Sequence, residues 1–310
     1  MKKKHKILAV VGPSASGKTN LAINLAKMFD GEILSADSRQ IYKHLDIATA
    51  KPSENEKQNI IHHLIDIVEP NVDYSVAEFA TAANRLIKSI LQADKTPIIA
   101  GGTGLYHRIL LEHYALPEVA PNEQLRIELS SKTTDSLYSE LSELDPVIAE
   151  KIHPNNKVKI IRALEVCKTL HKPMSEAQGL KESDYDVLWL GLTANNREYL
   201  YNRANLRVDK MIEEGLLSEF KNLIKKYGNL PIFESTIGYQ EFIPYLSNEC
   251  SFDESIGQIK QNTRRYIKRQ LSWFRANKSI NWLNVDELTQ DEILQKSAEL
   301  WINFLESENN

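Results

Sequence analysis

Apolar positions in the first third of the chain fall in short runs rather than long stripes. Ile7-Leu8-Ala9-Val10-Val11 is unbroken, as expected of a strand buried on both faces. Leu21, Ala22, Leu25, Ala26 and Met28 follow at helical spacing. The alternation then repeats. Glu32 to Asp37 reads as a short strand ending in an acid, and His63 to Val68 as another. Val76, Phe79, Ala80, Ala83, Leu86, Ile87 and Leu91 share one helical face, and Pro97 to Ala100 is a strand running into Gly101-Gly102-Thr103-Gly104. Strands alternating with helices, with glycines at strand ends, predict an α/β fold built on a doubly wound parallel sheet. Ligands of such sheets bind beyond the carboxyl ends of strands, so the turns after residues 11, 36 and 100 should converge.

The period changes near Leu116-Pro117. Helical spacing dominates residues 117–185, with helices opening at Asn122, spanning Asp135 to Leu144, and spanning Asn156 to Leu170. Val187 to Leu192 returns as a strand, followed by a helix from Arg197 to about Tyr227 and another from about Ser255 to Ala276. This predicts an all-helical subdomain, 117–185, inserted into a core formed by 1–116 and 186–310. Composition leaves the picture intact. The chain has 310 residues, 42% apolar and 26% charged, as in an ordinary soluble globular protein. No apolar run approaches the ~20 residues of a membrane helix, and the basic start Met1 to Lys6 lacks the long apolar segment of a signal peptide. Cys167 and Cys250 stand alone, without metal-ligand spacing, which suits a reducing cytoplasm. The net charge of −4 means that any polyanion site must be a local patch.

The chemistry begins at Gly12-Pro13-Ser14-Ala15-Ser16-Gly17-Lys18-Thr19, which fits G-x-x-x-x-G-K-[ST] between a strand and a helix. Such a turn aims backbone N–H groups and a helix N-terminus at one spot, Lys18 adds a point charge, and the Thr19 hydroxyl can hold Mg²⁺. The chain is therefore expected to bind a di- or triphosphate, in a P-loop NTPase-like core. A hydrolytic enzyme would end a neighbouring strand in a second acid. Here the 97–100 strand ends in glycines and Thr103, and Asp37 is the available carboxylate. Asp37 could act as general base, ligate Mg²⁺, or merely cap the next helix. His62 and His63 are adjacent on a strand and face opposite ways, a poor metal pair. Arg203 and Arg207, four apart on a helix, suit a pyrophosphate or a surface ion pair equally well.

Lys260, Arg264, Arg265, Lys268, Arg269, Arg275 and Lys278 make seven basic residues with no acid between them, inside an acidic chain. Ile256, Ile259, Ile267, Leu271 and Phe274 form the buried stripe of the same helix, leaving Lys260, Arg264 and Lys268 along one flank and Arg265 and Arg269 beside it. A one-signed flank is what a nucleic-acid backbone requires.

At these residues the chain resembles the bacterial tRNA dimethylallyltransferases. The matching blocks are GPSASGKT at 12–19, LSADSRQIYKHLDIATAKP at 34–52, HHLIDI at 62–67, GGTGLY at 101–106 and IRALEV at 161–166. RANLRVDKMIEEGL at 203–216, IGYQE at 237–241 and TRRYIKRQLSWFR at 263–275 continue the series in family order. The resemblance implies transfer of a dimethylallyl group from dimethylallyl diphosphate to the exocyclic amine of the adenosine just 3′ of the anticodon. It implies Asp37 as the base, Thr103 lining the reaction channel, Lys18 and Arg207 on the diphosphate, and Mg²⁺ in assistance. It also implies tRNA contacts by Asp37, Ser38, Arg39, Gln40, Thr103 and Arg126. Further contacts follow for Ile161, Arg162, Ala163, Leu164 and Glu165, and for Ser235, Thr236, Ile237, Gly238, Tyr239 and Gln240. Arg264, Lys268 and Arg269 join them from the basic helix, and the helical insertion becomes a clamp on the anticodon arm. Ser14 stands where threonine is commoner, and Ala48 where glycine is usual. The expected protein is a cytoplasmic monomer with no membrane contact. Three rivals remain at this stage. An adenylate isopentenyltransferase would need neither the insertion nor the basic helix. A small-molecule kinase would carry a lid-like arginine cluster, and an RNA-binding protein with a relic loop would not keep Lys18, Thr19, Asp37 and Thr103.

Overall fold

The computed structural model describes residues 4–307 except 113, 116, 118, 178 and 181–183. It has two compact units, Met1–Leu110 with Asp184–Asn310, and Leu111–Ser183. The larger unit holds a six-stranded sheet, every neighbouring pair parallel. In spatial order the strands are His62–His63, Gly31–Ser35, Thr96–Gly101, His5–Val11, Tyr185–Thr193 and Ile280–Asn284. The first strand in sequence is thus central, and residues Ile7 to Val11 are wholly buried. That explains their unbroken apolar run: a strand between two parallel neighbours, covered on both faces, has no polar side. The chain builds one wing of the sheet outward from this strand, returns beside it at Thr96–Gly101, and then crosses to its other side at Tyr185–Thr193. The crevice at this reversal lies next to the 12–19 turn. The fold is therefore a mixed α/β fold with a parallel sheet core and an inserted, mainly helical subdomain.

Three expectations need correction. The strand foreseen over 63–68 ends at His63. Leu64 and Asp66 take left-handed φ values of 63° and 56°, which break the ladder, and the backbone instead bonds Gln40 and Ile41. The helix foreseen from 197 to 227 is two, Arg197–Glu213 and Leu216–Tyr227, parted at Gly215 with φ 96°. A left-handed residue there ends one helix and starts the next at low cost because it is glycine. The insertion is not all-helical: Tyr114–Ala115 pairs antiparallel with Gly179–Leu180, a ladder too short to leave a period in the sequence. Its helices Glu123–Ser131, Thr134–Leu144 and Lys157–Leu170 do enclose a core of Leu129, Leu137, Leu141, Ile160 and Leu164.

Candidate functional site

The 12–19 turn leads into the Lys18–Met28 helix, whose N-cap is Gly17 in a left-handed conformation. No side chain caps this end, and its first turn carries no acid. A helix start of this kind leaves backbone donors and a partial positive charge for an anion. Lys18 donates to the Pro13 carbonyl at 2.6 Å. Burial, reinforced by the charge of Arg207, pushes the Lys18 ammonium down to about 7 against an upward pull from Asp37. Burial likewise lowers Arg207, while Asp37 and then Glu56 hold it up. Asp37, Lys18 and Arg207 therefore act on one another across one site.

Two cavities meet there. The larger, about 980 Å³, is lined by Gly17, Lys18, Thr19, Arg203, Arg207 and Lys210 among others. The smaller, about 350 Å³, is lined by Ser14, Asp37 to Arg39, Ser235 to Gly238, Gln240, Tyr266 and Arg269. Ala50, Arg207 and Met211 belong to both walls. The first also carries Asp46, Glu54, Glu56, Asp66 and Glu214, but at the helix N-terminus Lys18, Arg203 and Arg207 make its loop end cationic and suited to a diphosphate. The second mixes a carboxylate with hydroxyl, amide and aromatic groups, suited to a base.

The second cavity is held by a polar frame. Asp37 accepts from the Arg39 N–H at 2.9 Å through one oxygen. Thr103 accepts from the Ser38 N–H at 3.0 Å, and Arg39 donates to the Ser235 carbonyl at 3.1 Å. Gln40 accepts from Ser35 and donates to the carbonyls of Thr49 and Ala50. The Tyr266 hydroxyl, beside Thr103, is pushed up to about 12 by burial and then by the charge of Asp37. Behind the wall, Glu219 accepts from the backbone N–H groups of Asp46, Ile47 and Ala48 at 3.0, 2.8 and 3.2 Å, and from the Tyr239 hydroxyl at 2.6 Å.

Asp37, Ser38, Arg39, Gln40, Arg207, Ser235, Thr236, Ile237 and Gly238 thus come together around one cavity, and Lys18 and Thr19 around its neighbour. Tyr239 does not face the cavity. It is fully buried among Phe220, Phe233 and Phe242, and supports the wall through Glu219. In the smaller unit, Ala163, Leu164 and Glu165 are buried too. The Glu165 carboxylate accepts from Arg126, Arg162 and the Asn122 N–H. Burial pushes that carboxyl up, but these bonds outweigh it and hold it below the usual range. It ties together two half-exposed arginines.

The basic helix spans Phe252–Phe274, opened by a capping box of Ser251 and Glu254. Its flank is less free than the sequence implies. Lys260 pairs with Asp209, Arg264 donates to Asn205, and Arg269 lies over the Tyr266 ring. Lys268 and Arg269 face solvent. The same helix carries groups that pattern reading overlooked: Tyr266, Gln270 and Trp273, spaced along the face turned to residues 102–104. A β-carbon on Gly102 would lie 2.2 Å from Gln270 Nε2, and one on Gly104 2.1 Å from the Trp273 ring, so a side chain at either position would displace the helix side chain facing it. Seven-residue spacing of large polar and aromatic residues opposite a glycine turn was the available signal.

A parallel-sheet enzyme core with a chamber, cationic at its loop end, beside a base-sized cavity defines a class of group-transfer proteins. Comparison with known proteins gives the family. The profile of the IPP transferase family matches residues 40–277, and the chain belongs to that family. It is 44% identical to the tRNA dimethylallyltransferase of Caldanaerobacter subterraneus subsp. tengcongensis, over 94% of this chain and 96% of that protein. The crystal structure of a full-length tRNA isopentenylpyrophosphate transferase from Bacillus halodurans covers 99% of this chain and 98% of its own, at 38% identity and a TM-score of 0.76. A eukaryotic dimethylallyltransferase crystallised acting on tRNA covers 98% of this chain and 80% of its own, at 29% identity and a TM-score of 0.86.

Proposed function

We propose that this protein transfers the dimethylallyl group of dimethylallyl diphosphate to the exocyclic amine of the adenosine 3′ of the anticodon in tRNA, releasing diphosphate. The observation that carries the reading is the shared wall: one guanidinium, Arg207, borders both the chamber with the cationic end and the cavity that holds Asp37. The 12–19 segment then serves as a P-loop, in an NTPase-like core adapted to an isoprenoid diphosphate.

Substitution at the allylic carbon breaks its bond to the diphosphate oxygen and forms one to the adenine nitrogen. Negative charge grows on the leaving diphosphate, where loop N–H groups, Lys18 and Arg207 offset it. Asp37 takes the amine proton through the oxygen not committed to Arg39. Thr103, braced by Ser38 and Tyr266, lines the passage between amine and isoprenoid. The adenine leaves its stack to reach the cavity, at a cost of roughly a few kcal/mol, less in a loop. Mg²⁺ sites commonly use one or two protein oxygens together with substrate phosphates, so few protein ligands would be needed to hold the ion here. The exposed Thr19 hydroxyl, with Asp37, fits that mode. Among the described residues no group of three or more His, Cys, Asp or Glu gathers. When bound, Mg²⁺ neutralises charge on the diphosphate. Arg126 and Arg162, with the rest of the Leu111–Ser183 unit, are assigned to the anticodon arm, as are Lys268 and Arg269. Among the described residues no helix is long and apolar enough to cross a membrane. A cytoplasmic monomer is the proposed working form.

The test is prenyl transfer from radiolabelled dimethylallyl diphosphate to unmodified tRNA, with AMP and ATP as competing acceptors. Label in tRNA alone is expected. Label in AMP or ATP, or robust ATP hydrolysis without transfer, would overturn the assignment.

A further inference from the structure

We infer that Gln270 is a positioning residue for donor binding, its carboxamide setting the shape of the 12–19 loop by tying Ser14 to the Gly102 turn. This rests on the function proposed above. Gln270 is 5% exposed and projects from the 252–274 helix between two loops remote in sequence. Its Oε1 accepts from the Ser14 N–H at 2.8 Å and from the Ser14 hydroxyl at 3.3 Å. Its Nε2 donates to the Gly102 carbonyl at 3.0 Å. Both roles together need a group that accepts on one side and donates on the other, which fixes the amide orientation.

The Ser14 N–H belongs to the same planar peptide as the Pro13 carbonyl. Holding one end of that plane aims the other. The Pro13 carbonyl receives Lys18 Nζ at 2.6 Å, the Ser16 hydroxyl at 2.8 Å and the Ser16 N–H at 3.4 Å. Gln270 thereby sets where the Lys18 ammonium rests and which way the loop turns. On the other side it pins the Gly102 turn, adjoining Thr103, while Tyr266 and Trp273 hold residues 103 and 104 from the same helix face. One amide thus keeps the donor loop and the channel turn in register.

The experiment uses the full-length protein with Mg²⁺ and compares two variants with wild type. Gln270→Leu keeps the volume and removes all three bonds. Affinity for inorganic pyrophosphate should fall about tenfold, matching two or three lost bonds, and the donor KM should rise alike. The kcat and the donor-free tRNA affinity should stay within about twofold. Gln270→Glu adds a readout that packing alone would not move. A protonated carboxyl accepts from Ser14 and donates to Gly102 as the amide does, whereas a carboxylate cannot donate. Burial raises such a carboxyl above its usual range. The ratio of Gln270→Glu to wild-type pyrophosphate affinity should therefore drop as pH rises from about 5.5 to 9. The corresponding Gln270→Leu ratio should stay flat. A Gln270→Leu protein with a lower melting temperature but normal pyrophosphate affinity and donor KM would overturn the proposal, as would a flat ratio for Gln270→Glu. If Gln270→Leu does not fold, the Gln270→Glu profile decides alone. Wild-type protein that binds no pyrophosphate would instead overturn the functional reading, and this inference with it.

Discussion

Helix starts in the larger unit are settled in several ways: by a capping box, by a single side chain at Asn196, or with no side-chain cap, as at Gly17 and Gly215. The first and last of these plans contrast most. The helices Glu54–Lys57, Val76–Gln92, Phe252–Phe274 and Gln290–Glu306 each open with a capping box, a Ser or Thr and a Glu satisfying one another's backbone N–H groups. The Lys18–Met28 helix opens on Gly17 with neither device. The first plan settles orphan donors within the chain and is worth about 1 kcal/mol per cap. The start at Gly17 leaves them for an arriving anion and forgoes that stability. Asp37 stands between the plans: one oxygen serves a local N–H as a cap would, yet the group lies in the cavity wall and pulls on Lys18. The Gly17 start differs from the equally uncapped Gly215 start in having no acid in its first turn, so its donors face an arriving anion unopposed.

Asp37 tests that contrast most strongly. If it belongs with the ligand, Asp37→Ala lowers the single-turnover rate of prenyl transfer by about 10²–10⁴-fold, with tRNA affinity nearly unchanged. Equal rates would return Asp37 to the caps.

Lys18 comes next. Unfolded, its ammonium titrates near 10.5; folded, near 7. Below about pH 7 it is charged in both states and the fold bears the whole burial cost. That cost is relieved as pH rises from about 7 towards 10.5, so the ligand-free protein gains stability across this window. A bound diphosphate favours the charged form, so binding at pH 8 should draw up close to one proton, read as a calorimetric enthalpy that varies with buffer ionisation. Lys18→Ala should abolish that uptake and weaken binding about 10- to 100-fold, the scale of lost charge-assisted bonds. Buffer-independent enthalpy in wild type would break this reading.

A smaller effect separates free from committed charge on the basic helix. Lys268→Ala or Arg269→Ala should each flatten the plot of log tRNA affinity against log salt by roughly 0.7–0.9. Lys260→Ala, which removes a partner of Asp209, should lower the melting temperature with the slope intact. The reverse result would move the tRNA surface elsewhere. Smallest of all, Ser251→Ala should cost about 0.5–2 kcal/mol, a fall of a few degrees in Tm, with pyrophosphate affinity unchanged. A change in affinity would show that the capped helices also serve the ligand.

The 12–19 loop and the central strand were legible because each is contiguous: period and motif occupy one stretch. The missed features join distant segments. Gln270 meets Ser14 across 256 positions, and Glu219 meets Ile47 across 172, and no local period encodes such a bond. Residues 63–68 look like a strand because Leu64, Ile65, Ile67 and Val68 make a short apolar run, mostly β-branched, yet the left-handed Leu64 and Asp66 override it. The basic flank was read correctly as a run of charge, but Asp209 and Asn205, which engage two of its members, lie on another helix. Glu165 and Tyr239 fall inside recognisable blocks, but that they are buried and bonded to neighbouring side chains is not legible from the blocks.

The Glu219 carboxylate has a consequence for mutational tolerance. One side chain behind the cavity carries three successive backbone N–H groups of the wall and a buried phenol. A loss-of-function screen would score Glu219 alongside the catalytic positions, although it touches no reactant. The residues it holds would score on other grounds. Their bonds to Glu219 run through the main chain, which any amino acid but proline supplies. What their side chains must satisfy is set elsewhere, by the Asp46 ion pair with Lys51, the packing of Ile47 and the cavity wall at Ala48. Proline at 46, 47 or 48 is the change that the arrangement would not survive.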